Sequence, residues 1–416
     1  MSLLESPKAQ ALLAEAVVEA EAVRSCVRGL SSFLGRYLPL FYRKEQAANA
    51  SVTIKGLLSD LERKTCEPIA RREGVTRKPI QFFVGAGLWD DEAVMAEMRR
   101  QIVEERGTAE GILVFDPTSF VKKGKESCGV QRQWCGRLGK IENCQVGLFL
   151  AYATAEGYAP LDRRLFLSEA WAADGARREK THVPSDVVFR RKHEMALDML
   201  DRHGAEVPHR WVAGDDEFGR SADFRAALRE RNEGYVLDVP RDTLVRDLER
   251  KPPRGRRVWP LERAEEWLQR QPPCRWEKFT VAAGEKGPLQ VRAMRIRVRA
   301  MHGKTIGPPE TLVVLRTVEA EPQTRFGLSN GGPDVPLVEL VRVMAQRHKI
   351  EELFEAAKGE VGLAHYEVRS WVGWHHHMTL ALLALWFMIR QRRRLGEKNP
   401  GADSSGNTPP VFAPAA

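Results

Sequence analysis

Two short apolar runs in this 416-residue chain each close on a carboxylate. Residues 112–115, "ILVF", run into Asp116, and "RWVAGD" (210–215) ends on Asp215. A third acid, Glu351, lies in "RHKIEELFEAAKGEVG" (347–362), with Arg347 four residues before it and Lys358 seven after. Carboxylate oxygens are the donors that hard divalent cations prefer. Three of them around two cations would suit in-line attack on a phosphodiester. Three turns of α-helix take almost eleven residues, so Arg347, Glu351 and Lys358 fall on one face, a carboxylate flanked by two cations. Taken singly, Glu351 also reads as half of a surface ion pair worth about 0.3–0.5 kcal/mol. The order of elements, two strand-end aspartates and then a helical glutamate, favours the metal reading.

Positive charge recurs near these acids. Lys122, Lys123 and Lys125 follow Asp116 in "FVKKGK", where they read as phosphate contacts or as a solvated turn. In "LQVRAMRIRVRAM" Arg295, Arg297 and Arg299 alternate with Ile296 and Val298, so a strand there puts three arginines on one face. That face is either the polar outside of an antiparallel sheet or a phosphate-binding surface. The whole chain carries 65 basic against 56 acidic residues, a net charge of +9, which suits a polyanionic partner.

The elements that would position these residues can be read from periodicity. Residues 1–108 form an N-terminal helical region. Ile54, Leu57, Leu58 and Leu61 make one amphipathic stripe, and a later helix is capped by Asp90 or Asp91 with Val94, Met95, Met98 and Ile102 inward. Strands are expected at 112–115, 146–152, 165–167, 210–215 and 235–239, with helices at 185–203 and 221–231. Residues 109–239 thus compose a mixed α/β sheet, the composition shifts between about 240 and 332, and a long helical stretch resumes around 335. The tail 393–416, rich in Pro, Gly and Ser, is expected to be disordered.

The stretch "FDPTSFVKKGKESCGVQRQWCGRLGKIENCQVGLFLAY", with "LSEAW", "WVAGDDEFG" and "GEVGLAHYEVRSWVGWHHH", resembles bacterial insertion-sequence transposases of the DDE superfamily. The resemblance is to the branch marked by a Y-x2-R-x3-E-x6-K signature. Arg347, Glu351 and Lys358 match its last three positions, while Met344 stands where the tyrosine belongs. This likeness implies a ribonuclease H-like mixed α/β catalytic domain over residues 109–239 and 333–392, a β-rich insertion at 240–332 and an N-terminal helical domain, residues 1–108, that binds transposon ends. It implies Asp116, Asp215 and Glu351 as catalytic metal ligands, with Asp216 the runner-up to Asp215. It further implies two Mg²⁺ ions, replaceable by Mn²⁺, a transposon-end and a target DNA as partners, and a homodimer assembled on DNA. The expected place is the bacterial cytoplasm, at the nucleoid when DNA is bound.

Other chemistry is less well supported. The six cysteines make no C-x-x-C pair, so neither a zinc site nor a disulfide framework is expected. His375, His376 and His377 point about 100° apart on a helix and cannot face one ion, which leaves packing or DNA contact. No secretory signal or lipidation motif is recognisable, and the apolar run 380–389 is too short to span a bilayer. Two competing functions remain: a ribonuclease H-like nuclease that cuts without joining, and a catalytically dead DNA-binding descendant.

Overall fold

The computed structural model describes residues 20–255, 257–284, 287–319 and 321–398. Helices come first: α1 (Ala20–Gly35), α2 (Lys44–Leu57), α3 (Cys66–Arg72), α4 (Arg77–Gly85) and α5 (Asp91–Arg106). Asp90 caps α5 by accepting the Ala93 N–H at 3.0 Å, and Val94, Met95, Met98 and Ile102 are its buried stripe.

Four antiparallel strands follow, β1 (Ile112–Val121), β2 (Gln131–Cys135), β3 (Lys140–Thr154) and β4 (Gly157–Leu165). After α6 (Glu169–Ala173), α7 (Gly175–Lys180) and α8 (Lys192–His203) comes β5 (Trp211–Gly214), parallel to β1. Then α9 (Asp216–Gly219) and α10 (Ala222–Glu230) lead to β6 (Tyr235–Val239), parallel to β5. The insertion supplies β7 (Leu244–Asp247), β8 (Glu262–Arg263), α11 (Ala264–Gln269), β9 (Glu277–Gly284), β10 (Gly287–His302), β11 (Thr305–Thr317) and β12 (Thr324–Ser329). Two long helices, α12 (Leu337–Gly359) and α13 (Trp371–Lys398), close the fold.

All twelve strands join one sheet in the order β2-β3-β1-β5-β6-β12-β11-β10-β7-β8, with β4 beside β3 and β9 beside β10. This is the ribonuclease H-like mixed α/β architecture expected from the sequence. The insertion extends the same sheet, because β12 pairs antiparallel with β6 from Phe326↔Val239 to Ser329↔Val236. Its strands alternate between two cores. Val313 and Leu315 pack on the main one, while Leu312 and Val314 pack with Trp267 and Ile296 in a second.

Four local expectations need correction. The strand beginning at Ile112 does not stop at Asp116. Antiparallel pairing with β3 carries it to Val121, and only the parallel pairing with β5 ends at Phe115. The helix expected from 185 starts at Lys192, because Arg178 donates to the carbonyls of Pro184 (2.8 Å) and Val187 (2.7 Å), holding that segment non-helical. The strand near 165–167 instead covers Gly157–Leu165, where Asp162, Arg163 and Arg164 disguise a buried run as polar. Helix α13 also continues to Lys398, into the stretch expected to be disordered; residues 399–416 lie outside the described residues. Part of α13 is long and apolar enough to cross a membrane, but 89% of that window is buried inside the fold.

Candidate active site

Parallel pairing aligns the strand ends. The last β1–β5 partners are Phe115 and Gly214, and the last β5–β6 partners are Gly214 and Leu237. One residue further on lie Asp116, Asp215 and Asp238, a row of three aspartates across three neighbouring strands. Adjacent strands are about 4.8 Å apart, so register alone brings the three carboxylates into one crevice. Such crevices beyond the carboxyl ends of parallel strands are where α/β sheets bind ligands. Asp238 was missed from the sequence, although "YVLDV" carries the same signal as "ILVFD" and "WVAGD", an apolar run closing on an aspartate.

Helix α12 crosses this row and inserts Arg347. Its guanidinium lies 3.4 Å from Asp116 Oδ1, 3.5 Å from Asp238 Oδ2 and 3.4 Å from Glu351 Oε1. Arg325 reaches Asp238 as well, at 2.6 Å. Three turns later, Lys358 donates to Thr118 Oγ1 at 2.7 Å. Arg347 and Lys358 therefore address β1 from one helical face, as the eleven-residue spacing requires, while the Glu351 side chain is half exposed at the edge. Phe354 and Leu353 are buried beneath.

Burial shapes the charges here. Asp116 is 8% exposed, and loss of solvent pushes its carboxyl up to about 8. Arg347 opposes that rise, while Asp215 and Glu351 reinforce it. Asp215 is half-buried, caps α9 by accepting the Glu217 N–H at 3.0 Å, and is pushed up to about 6, again chiefly by burial. Lys358 is lowered by burial over the rings of Phe120 and Phe354. Asp216 points away, exposed and paired with Arg220 at 3.0 Å.

A divalent cation suits the donor chemistry of this crevice. The donors are carboxylate oxygens, and burial raises both Asp116 and Asp215 above the ordinary carboxylate value, a rise that a bound cation would oppose. The Arg347 Nε is buried without a partner, so this arginine is not locked in place by hydrogen bonds at every donor. The side chains are nonetheless gathered around Arg347 and not around an ion. Among the described residues no group of three or more His, Cys, Asp or Glu is already arranged about one metal position.

The remaining candidates lie elsewhere. Lys122 turns inward, donating to the Tyr366 carbonyl at 3.2 Å with its ammonium 3.3 Å from that ring's centre, and burial lowers it to about 7. Lys123 and Lys125 are exposed. Arg295, Arg297 and Arg299 share a face, but all three donate to backbone carbonyls. Arg295 reaches Val335 and Pro333, Arg297 reaches Gly331 at 2.9 Å, and Arg299 reaches Gly307 at 3.0 Å. Two of them thus tie β10 to the loop that feeds α12. Met344 is buried and packs against Gly327 of β12. The three histidines go separate ways, to the carbonyls of Trp371, Trp89 and Gly362, and burial keeps all three neutral.

Comparison with known proteins follows the same lines. Residues 36–301, more than half of the chain, match a family model described as DDE superfamily endonuclease. Asp116, Asp215 and Asp238 lie inside that span and α12 outside it. A probable transposase for insertion sequence element IS701 from Microchaete diplosiphon is 26% identical over 202 residues, covering 47% of this chain and 50% of that protein. The chain thus spans about half the length of that curated relative.

Proposed function

The chain belongs to the DDE superfamily of endonucleases, and from that premise we propose that it is a DNA transposase. It cleaves the ends of a mobile DNA segment and joins them to a target. The observation that carries this reading is that Asp116 and Glu351 each lie 3.4 Å from the Arg347 guanidinium, with Asp215 in electrostatic reach of it, at the ends of parallel strands.

Asp116, Asp215 and Glu351 would hold two Mg²⁺ ions, for which Mn²⁺ can substitute. Bound there, the ions supply activation of water or a DNA 3′-hydroxyl and stabilise the leaving oxygen. The protein's own contribution is positional. β1 and β5 fix two carboxylates side by side, and α12 brings the third from above. Arg347 neutralises this crevice before substrate arrives, then is free to take a backbone phosphate in a bidentate manner. Lys358, anchored on Thr118, places a second cation along the same face. Lys123 and Lys125 extend that charge outward, so binding should weaken as salt rises.

The test is a plasmid carrying a marked element, incubated with wild-type protein in Mg²⁺. Cutting followed by insertion into a second plasmid supports the proposal, and Asp116→Ala, Asp215→Ala and Glu351→Ala should each abolish cutting while DNA binding survives. Cutting without insertion would make the protein a nuclease only. Wild-type cleavage by any of the three variants would remove that residue from the ligand set.

A further inference from the structure

Asp215 owes its place to a helix too short to hold itself. Helix α9 (Asp216–Gly219) is a single turn, and the Asp215 carbonyl accepts the N–H groups of Phe218 and Gly219, each at 3.1 Å. One isolated turn is not stable on its own hydrogen bonds, because nucleating a helix fixes several residues for each bond gained. What keeps Asp215 in place beyond β5 must therefore come from outside the turn. Two ties are packing. Phe218 is fully buried, its ring centre 6.2 Å from that of Phe115, the residue just ahead of Asp116. Gly219 lies so close to β6 that a Cβ there would collide with the Asp238 carbonyl.

The third tie is polar and comes from the insertion. Arg225 of α10 donates from one guanidinium nitrogen to the Gly219 carbonyl, one of those that a helix end leaves without a partner. Its Nε donates to Glu310 Oε1 at 3.0 Å, and Glu310 belongs to β11. The same oxygen accepts the Tyr235 hydroxyl of β6 at 2.6 Å, and Arg229 approaches it at 3.1 Å. Glu310 shares by alternation the face of Leu312 and Val314, so a carboxylate stands where the strand otherwise turns apolar residues inward. Water is excluded throughout: Glu310 is 1% exposed, Arg225 4%, and Tyr235 is fully buried. Burial and the Glu310 charge hold the Tyr235 hydroxyl well above its ordinary value, so it stays a donor.

A buried ion pair of this kind is a poor way to gain stability, because apolar side chains of similar volume often do as well or better. What an apolar pair cannot supply is the fork. One planar guanidinium is fixed at one prong by a carboxylate of the insertion and at the other by the last carbonyl of the Asp215 turn. The position of β11 is thereby passed to α9.

We propose that Arg225, held by Glu310, is a positioning residue for the active site, tying strand β11 of the insertion to the turn that fixes Asp215. This rests on the transposase reading, since it takes Asp215 to serve DNA cleavage. Loss of the fork lets the turn fray and Asp215 wander, while the surfaces that meet DNA stay as they are.

The experiment compares full-chain variants by three readings: cleavage of a plasmid carrying a marked element in Mg²⁺, affinity for the same DNA, and deuterium uptake at the Phe218 and Gly219 amides without DNA or metal. Arg225→Met keeps most of the stem's packing and loses both prongs. It should slow cleavage about tenfold, the low end for groups behind a metal ligand, leave affinity within about twofold and speed uptake at both amides. Arg225→Lys, which can reach only one of the two oxygens, should regain part of the rate. Val314→Ala removes apolar packing from the same strand without touching the fork. It should lower the melting temperature yet keep cleavage and uptake within about twofold of wild type. Cleavage by Arg225→Met at the wild-type rate overturns the proposal. So does Val314→Ala matching Arg225→Met in both slowed cleavage and faster uptake, which would make the network structural only. Should Arg225→Met fail to fold, Glu310→Gln, which keeps the shape of the acid, takes its place in the same three readings. If wild-type protein does not cut DNA, the transposase reading falls, and unchanged uptake in the Arg225 variants would then overturn the tie on its own.

Discussion

Arg347 and Asp116 are 231 residues apart in the chain, yet a guanidinium nitrogen of one lies 3.4 Å from a carboxylate oxygen of the other. The same arginine also touches Asp238 and Glu351. One side chain is thus shared by three carboxylates, with Asp215 a fourth acid in electrostatic reach and Arg325 a second cation on Asp238.

Removing that charge should be costly until a cation replaces it. Arg347→Ala leaves buried acids without a counter-charge, so urea unfolding without divalent metal should show a loss on the order of 2–4 kcal/mol. Millimolar Mg²⁺ should recover most of that loss. If it recovers none, the carboxylates do not gather a metal when the arginine is gone.

Asp116 predicts a pH signature. Its folded-state pKa, pushed up to about 8, exceeds the ordinary value of 3.8, so the folded protein holds a proton that the unfolded chain releases. Below pH 3.8 both states are protonated and the group's contribution is complete. As pH rises towards 8, stability is lost, at up to about 1.4 kcal/mol per pH unit. Asp116→Asn removes this dependence. Thermal melts should therefore show the variant gaining on wild type between pH 5 and pH 8, measured without metal. Parallel melting curves at both pH values would contradict the raised pKa.

Asp238 belongs to the row by register but contacts Arg347 and Arg325. As a group that orients its neighbours, it should matter less than a ligand. Asp238→Asn should lower the cleavage rate about 10–100-fold without abolishing it, the range typical of residues just behind a metal site. Complete loss, equal to that of Asp116→Ala, would make Asp238 itself a ligand.

Met344 occupies the position where the resembling family has tyrosine, but here it is a core residue. It is 1% exposed and lies against Gly327. Met344→Tyr forces a longer, rigid ring into filled space and should destabilise the fold by about 1–3 kcal/mol in urea titrations. A neutral or stabilising result would mean that the ring escapes towards the DNA side.

Arg297 ties β10 to Gly331 and Thr311, just ahead of the helix that carries Arg347 and Glu351. Arg297→Ala should cost about 1–2 kcal/mol and lower cleavage more than DNA binding. Equal effects on both would show that the insertion acts as a DNA surface and not as a brace.

What the sequence determined on its own was local. Short continuous apolar runs marked the strands that lead to Asp116 and Asp215, and 3.6-residue periodicity put Arg347, Glu351 and Lys358 on one side of α12. Capping chemistry set the start of α5. These depend on residues a few positions apart, whose relative directions the backbone fixes. Tertiary structure decided the rest. Only pairing of β5 with both β1 and β6 aligns Asp238 with the other two aspartates. Only the β12–β6 ladder makes the insertion part of the same sheet and turns three arginines from an exposed face into clamps on carbonyls. Burial beneath α12 gives Asp116 its proton and Arg347 its four acidic neighbours, because solvent exclusion is a property of packed elements and not of any single segment.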